Sequence, residues 1–208
     1  NDKANYGKGS ERPVYFVTGE PQGLNKYKNK TTGTSSVAGK FSSAFALGYQ
    51  MFQSSDETYA ELLRQRAFSA WDFGLRKPGY TQTASYTAPY IYEESNWVDD
   101  MELAAAQLYA ITRDKKYQQE SFSYAQQEQQ TPWLGTDTAS HYQWYPFINV
   151  GHYELAKLAD PEIKKMAIAF YRTGIESVYK KARENAFMRG VPYMWCSNNL
   201  LTCFAIQC

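Results

Sequence analysis

The repeated pairing of helical segments most constrains how this chain can fold. From about residue 32 onward, apolar residues recur every three or four positions in six successive segments, and a seventh begins after residue 195. Tight turns such as Arg113-Asp114 alternate with long connections at 79–95, 128–140 and 185–195. This alternation predicts an all-α fold of about three and a half helical hairpins, arranged as an arc of a toroid or solenoid with the long connections at one end. A compact domain of seven helices is the alternative.

Short motifs predict where individual helices begin and end. Ser54-x-x-Glu57 is a capping-box pattern that predicts the start of the second helix, and the run 77–79 (Lys-Pro-Gly) predicts its end. Asp160 followed by Pro161 predicts the start of the sixth helix, with Asp160 as its N-cap. The second and sixth helices therefore have predicted boundaries.

Residues 1–31 differ from the rest, since they are polar and interrupted by glycine and proline around the strand-like run 14–17. We expect a loop-rich arm here that belongs to the same domain as the helical-hairpin segment 32–208. Three and a half hairpins are too few to close a six-hairpin ring, and the last residues stop inside an apolar run. We therefore expect this domain to be truncated at both ends. We also expect these residues to pack against the remainder of their own domain.

Composition narrows the class of ligand. The 208 residues carry 22 Lys and Arg against 21 Asp and Glu, a net charge of +1, so bulk charge attracts neither nucleic acid nor an anionic membrane. No apolar run is long enough to predict a membrane span. Aromatic residues make up 16%, with 18 Tyr and 5 Trp, which suits a flat, uncharged ligand such as a sugar. Use of these rings as ordinary core residues is the alternative.

Cysteine and histidine give no metal or redox pattern. The three cysteines are spaced unlike a disulfide within one helix, and we expect buried thiols at Cys196, Cys203 and Cys208. The two histidines, His141 and His152, lie 11 positions apart, and no Cys-x-x-Cys pair occurs. We therefore expect no cofactor. Residues 29–31 (Asn-Lys-Thr) match the short acceptor pattern for N-glycosylation.

One tryptophan stands at the entrance of the third, fifth and seventh helices. These are Trp97, Trp144 (with Tyr142 nearby) and Trp195. If the long connections share one rim, these rings form a row of platforms suited to the faces of sugar rings. Packing that closes each hairpin is the alternative role. Asp99 follows Trp97 within an acidic cluster of helix-capping charges, and it is the carboxylate we expect to accept hydrogen bonds from sugar hydroxyls.

Ordered segments along nearly the whole chain resemble glycoside hydrolase family 9. They are Arg12–Phe16, Thr34–Gly48, Asn96–Thr112, Trp144 followed by Glu154–Leu158, and Trp195–Leu200. The resemblance implies an (α/α)6 toroid that cleaves β-1,4-glucans, or related β-linked chains, with inversion. It also implies that Trp97, Asp99, Trp144 and Trp195 line the substrate cleft, and we expect Tyr142 to bind substrate beside Trp144. The chain departs from the family at Trp97, where tyrosine is more usual, and after Trp195, where Gly-Ser-Leu-Arg-Tyr is common.

The resemblance places the catalytic groups outside these residues. An aspartate pair that holds the base precedes the segment like Arg12–Phe16, and a His/Arg pair and an acid glutamate follow the segment like Trp195–Leu200. We therefore expect no catalytic residue in this chain, which alone would be inactive. By the same resemblance we expect an extracellular, periplasmic or cell-surface location. A noncatalytic glycan-binding domain and a different six-hairpin enzyme, such as an epimerase or lyase, are the alternatives.

Overall fold

The structure, a computed structural model, describes residues 15–23, 28–84, 93–139, 148–194 and 197–208. Within these residues it consists of seven α-helices and contains no strand, so the all-α prediction is confirmed. The strand-like run 14–17 is irregular at its described positions. The helices are α1 Ser35–Phe52, α2 Glu57–Arg76, α3 Val98–Thr112, α4 Lys115–Gln127, α5 Val150–Leu158, α6 Pro161–Arg183 and α7 Ser197–Gln207.

The helices pair as the sequence predicts. Helix α1 packs on α2, α3 on α4, and α5 on α6, and each pair is joined by a connection of four residues or fewer. In addition, α1 packs against α3 and α3 against α5, so α1, α3 and α5 form one layer. The described ends of the connections before α3 and α5 lie at the end of this layer where α1, α3 and α5 begin; we call this end the rim. This arrangement is an arc of an (α/α) toroid.

Helix α3 lies at the centre of this layer and is covered on nearly all sides. Its alanines allow close packing by α1, α4 and α5, and Met101 and Leu108 are fully buried. A helix enclosed in this way is expected to be apolar all round. Helix α3 nevertheless begins with three acidic residues, Asp99, Asp100 and Glu102, and all three are buried. They are therefore part of the interior and not solvated capping charges.

Small residues bring α1 close to its neighbours. Ser42 Oγ donates to the Ala67 carbonyl oxygen at 2.9 Å, a direct hydrogen bond from the side chain of α1 to the backbone of α2. On another face, Gly39 lies so close to α3 that a Cβ atom there would be 2.7 Å from the Asp100 carbonyl group. Since only glycine fits this crossing, Gly39 sets the distance between the first two inner helices.

The described part of the arm is fixed to the first long connection. Asn29 is 6% exposed; its amide Nδ2 donates to the Gln82 carbonyl oxygen at 2.9 Å, and its Oδ1 accepts from the Gln22 amide at 2.9 Å. A glycan on Nδ2 would break the hydrogen bond to Gln82. The asparagine of the acceptor pattern therefore has a structural role here. The two lysines described here, Lys28 and Lys30, are exposed, as expected for a solvated loop.

Two predicted helix caps differ in the structure. Helix α2 is capped by Asp56, which accepts from the Tyr59 amide at 2.9 Å, and not by Ser54. Asp160 is the N-cap residue of α6 as predicted, but its side chain makes no cap hydrogen bond. Instead its carboxylate binds Lys115 and accepts from Gln118 Nε2 at 2.7 Å, because these side chains reach it from the start of α4.

The cysteines are only partly as predicted. Cys203 is half-buried, but Cys208 is exposed at the end of α7, so the prediction of a buried thiol is wrong there. Cys196 lies outside the described residues. The described ranges hold no group of His, Cys, Asp and Glu that could bind a metal ion. In the same ranges, every helix is too short or too polar to cross a membrane.

Candidate sugar-binding site

Trp97 is placed at the rim by the start of α3, where it is the N-cap residue. Its indole meets the Tyr124 ring of α4 edge to face, with ring centroids 6.0 Å apart, and Tyr124 in turn meets the fully buried Trp71 at 6.3 Å. The indole is half-buried. One part of it packs against the hydrophobic core between the helices, and the remainder is exposed to solvent. Both roles considered for this residue are compatible with its position.

Asp99 lies two residues further along, in the first turn of α3. It is 8% exposed, and its Oδ1 atom finds no hydrogen-bond partner among the described residues. Burial, and to a lesser extent repulsion by Glu94, raises the pKa of Asp99 to about 7, although the attraction of Lys40 opposes this rise. A buried carboxyl oxygen without a hydrogen-bond partner destabilises the folded state unless a ligand or a water molecule donates a hydrogen bond to it.

Lys40 of α1 forms salt bridges with two neighbouring carboxyl groups but not with Asp99. Its Nζ atom lies 2.6 Å from Asp100 Oδ2 and 2.6 Å from Glu94 Oε1. One ammonium group thus balances one of three neighbouring carboxylates, and full ionisation would leave a net charge of −2 in the interior. Because such a charge is costly, burial and mutual repulsion raise the pKa of Asp100 as well as that of Asp99, and this coupled pair of acids holds a proton over part of the neutral pH range.

Another buried acid, Glu128, lies close enough to Asp99 to interact with it electrostatically. It is the C-cap residue of α4, one turn after Tyr124, and is 9% exposed. Burial, followed by repulsion from Asp99, raises its pKa to about 9, while a hydrogen bond with the Asn96 side chain opposes this rise. Glu128 is therefore neutral at pH 7 and can donate a hydrogen bond, whereas Asp99 can accept one.

Beneath Asp99 lies a third buried acid, Glu102. Its Oε1 atom is 2.7 Å from His152 Nδ1, and its Oε2 accepts from Asn149 Nδ2 at 2.7 Å. Burial raises the pKa of Glu102, while His152 and Asn149 oppose the rise. All three residues are at most 1% exposed, so this network is sealed from solvent.

The structure places two of the five predicted site residues, Trp97 and Asp99, two positions apart at the start of α3. Tyr142, Trp144 and Trp195 lie outside the described residues. Chemically, a half-buried aromatic ring at the same helix end as one acceptor carboxyl and one donor carboxyl suits a neutral, hydroxyl-rich ligand.

Four residues of this region were missed from the sequence: Lys40, Glu102, Glu128 and His152. Two carried a usable signal. His152 falls on the apolar face that Gly151 and Leu155 define, and Glu102 stands within a helix that is apolar all round. A polar residue in such a place is expected to be buried with a partner. Glu128 stands in a run of glutamines and carried no such signal.

Solved structures share the fold that these hairpins form. The GH9 protein of Bacteroides ovatus matches 79% of this chain with a TM-score of 0.52 and 16% identity, and the chain covers 30% of it. The endoglucanase of the termite Nasutitermes takasagoensis matches 73% with a TM-score of 0.50 and 21% identity, and 34% of it is covered. At these identities the likeness establishes the fold class alone, that of the (α/α)6 helical toroids.

Sequence comparison then establishes the family. The family model of glycosyl hydrolase family 9 matches residues 2–208, and the chain belongs to this family. Among curated proteins, it is 34% identical over 83 residues to endoglucanase 14 of Arabidopsis thaliana, covering 40% of the chain and 17% of that protein. It is 32% identical over 129 residues to endoglucanase 3 of Oryza sativa subsp. japonica, covering 61% and 24%. The chain thus spans about a quarter or less of these relatives.

Proposed function

We propose that this chain supplies the central substrate-binding wall of a glycoside hydrolase that cleaves β-1,4-linked glucan, or a related β-glycan, with inversion. Family membership supports glycosidase activity, and two relatives are named as endoglucanases. The observation that carries the binding role is the start of α3, where Trp97 is a half-buried ring and Asp99, two positions further on, is a buried carboxyl whose Oδ1 has no partner in the described structure.

The proposed contacts follow from the chemistry of each group. The exposed part of the Trp97 indole stacks on the apolar face of a sugar ring, and Asp99 accepts a hydrogen bond from a sugar hydroxyl. Neutral Glu128 donates a hydrogen bond on the same side. Tyr142, Trp144 and Trp195 are proposed as further ring platforms at the next helix entrances, on the basis of their sequence positions.

Sugar binding by the isolated chain tests this proposal directly. A β-1,4-linked glucose hexasaccharide is titrated into the chain in a calorimeter, with folding checked by circular dichroism. We expect Trp97→Ala to weaken binding about fivefold or more, because a stacked ring contributes on the order of 1 kcal/mol. We expect Asp99→Asn to weaken it about tenfold at pH 8, where the carboxylate is charged.

Tyr59→Ala is the matched control for the aromatic substitution. Tyr59 is 44% exposed and packs edge to face on Phe52 with ring centroids 5.0 Å apart, but it lies at the opposite end of the hairpins. Its loss removes a similar ring pair without touching the rim. If Tyr59→Ala weakens binding as much as Trp97→Ala does, the rim is not the binding site.

We further propose that catalysis requires the remainder of the catalytic domain. Incubation of the chain with a soluble β-1,4-glucan is expected to release no new reducing ends, whereas oligosaccharide binding persists. Clear turnover would show that the catalytic acid and base lie within these 208 residues. Since a polymer of this kind is met outside the cytoplasm, an extracellular, periplasmic or cell-surface location belongs to the same proposal.

A further inference from the structure

The network of Glu102, His152 and Asn149 has no direct place in the proposed sugar contacts, yet it lies immediately behind them. Glu102 follows Asp99 by three positions on α3, so the two side chains share one face of the helix, one turn apart. The network joins this turn to the start of α5, where Asn149 is the N-cap and His152 lies in the first turn.

The hydrogen-bond geometry fixes how many protons the pair holds. His152 Nδ1 faces Glu102 Oε1 at 2.7 Å, and His152 Nε2 faces the carbonyl oxygen of Gln129 at 3.2 Å. A carbonyl oxygen only accepts, so Nε2 carries a proton and donates it. Between Nδ1 and Oε1 one further proton is then required, whether it resides on histidine or on glutamate. The Glu102–His152 pair is thus neutral as a whole in both arrangements, which suits its burial.

The same residues tie both ends of one long connection to α3. At the start of that connection, Gln129 accepts from His152, and Thr131 Oγ1 accepts from the Asn149 amide at 3.0 Å. At its end, Asn149 Nδ2 donates to Glu102 at 2.7 Å. The Glu102 carboxyl group therefore holds both ends of this connection, Asn149 directly and Gln129 through His152.

Glu102 is packed closely against the start of α5. A Cβ atom at Gly151 would lie 2.7 Å from Glu102 Cδ, so glycine allows the carboxyl group to sit against the start of α5. Tyr171 of α6 donates its hydroxyl to the Asn149 carbonyl oxygen at 2.5 Å and covers the network from outside. Asn149 is thereby held through its side chain, its amide and its carbonyl group.

We propose that Glu102 and His152 are a positioning pair, which fixes the two ends of the connection 129–149 relative to Asp99 and so sets the geometry of the sugar-binding rim. This inference rests on the proposed function, because the ligand is the sugar bound at Trp97 and Asp99. The pair itself touches no substrate. It acts through Gln129, Thr131 and Asn149.

Three variants separate positioning from stability. Glu102→Gln keeps the hydrogen bonds, since its amide donates to His152 Nδ1 and accepts from Asn149. The double variant Glu102→Leu/His152→Leu removes the pair but leaves Asn149 Nδ2 and the Gln129 carbonyl oxygen without these partners, so its folding is checked by circular dichroism before its affinity is compared with that of the other variants. Gln118→Leu is the matched control, because Gln118 is equally buried but binds Asp160 at the opposite end of the hairpins.

Affinity for the β-1,4-linked glucose hexasaccharide is measured for each variant, together with amide hydrogen exchange in the absence of sugar. We expect the double variant to lose affinity at least about tenfold and to speed exchange at the Asn149 and Gly151 amides. We expect Glu102→Gln to retain both properties and Gln118→Leu to retain affinity.

Two outcomes would overturn the positioning role: unchanged affinity in the double variant, or an equal loss of affinity in Gln118→Leu. Unchanged exchange at Asn149 and Gly151 would show that the pair does not hold the connection at all. If the wild-type chain binds no hexasaccharide, the proposed function fails first, and the exchange data still decide whether the pair fixes the connection.

Discussion

Replacing Asp99 by asparagine should make the folded chain more stable at neutral and alkaline pH while it weakens sugar binding. The reason lies in the proton that Asp99 holds. Its pKa is about 7 in the folded chain, against an ordinary value of 3.8. Between these two values the folded state binds a proton that the unfolded state has lost, so the free energy of unfolding falls as pH rises through this window.

The size of the effect follows from the width of the window. About three pH units at about 1.4 kcal/mol each give a ceiling of about 4 kcal/mol. Asp99 remains 8% exposed and shares its titration with Asp100 and Glu94, so we expect about 1–3 kcal/mol. Asparagine carries no charge at any pH and avoids this loss, although it fills the same space.

Urea unfolding from pH 4 to pH 9 measures the effect. The difference in unfolding free energy between Asp99→Asn and the wild type is expected to be near zero at pH 4 and to rise through pH 7. Because Asp100 is coupled to Asp99, its pKa also changes in the variant, and the measured difference includes that contribution. Asp72→Asn, at an exposed position of α2, is the control for the substitution itself. A difference for Asp99→Asn that does not change with pH would refute the account of Asp99 as a buried acid with a raised pKa.

Other substitutions test the packing. Gly39→Ala should destabilise the chain by about 1–2 kcal/mol in thermal or urea unfolding, because the new methyl group meets the Asp100 backbone and overpacking outweighs the gain in helix propensity. Gly48→Ala should be close to neutral, because its methyl group meets only the movable tip of a leucine at 3.0 Å, and equal effects would contradict this reasoning. Asn29→Ala should lower the unfolding free energy by about 1–3 kcal/mol through loss of the buried bridge to Gln82, and mass spectrometry of the folded wild-type chain should find no glycan at Asn29.

Much of the fold follows from local signals in the sequence. The recurrence of apolar residues at helical spacing predicted the seven helices, and the alternation of short and long connections predicted their pairing. The start of α2 was assigned to the wrong residue because Ser54 and Asp56 both fit a cap, and only the backbone path between α1 and α2 selects Asp56. The side-by-side packing of α1, α3 and α5 depends on contacts such as Gly39 with Asp100, which join positions 61 residues apart.

The site was less accessible from sequence, for a physical reason. A run of acids at the start of a helix is usually solvated and favoured by the helix dipole, so the sequence alone favours capping charges. The burial of Asp99 depends on packing by α1 and by residues of the long connection before α3, and no local sequence pattern predicts such packing. Lys40, which forms a salt bridge with Asp100 and leaves Asp99 without one, belongs to α1, two helices earlier in the chain.

The separation of tight turns and long connections also bears on how the chain folds. Each hairpin consists of helices adjacent in sequence, so much of the packing forms between near neighbours, and a topology of this kind folds quickly. The rim connections meet their partners only after hairpins have docked side by side, as the link from Glu102 to Asn149 shows. We therefore expect the rim to be the last surface to become ordered. Its residues can then diverge from one glycan to another with little effect on the rate at which the hairpins assemble.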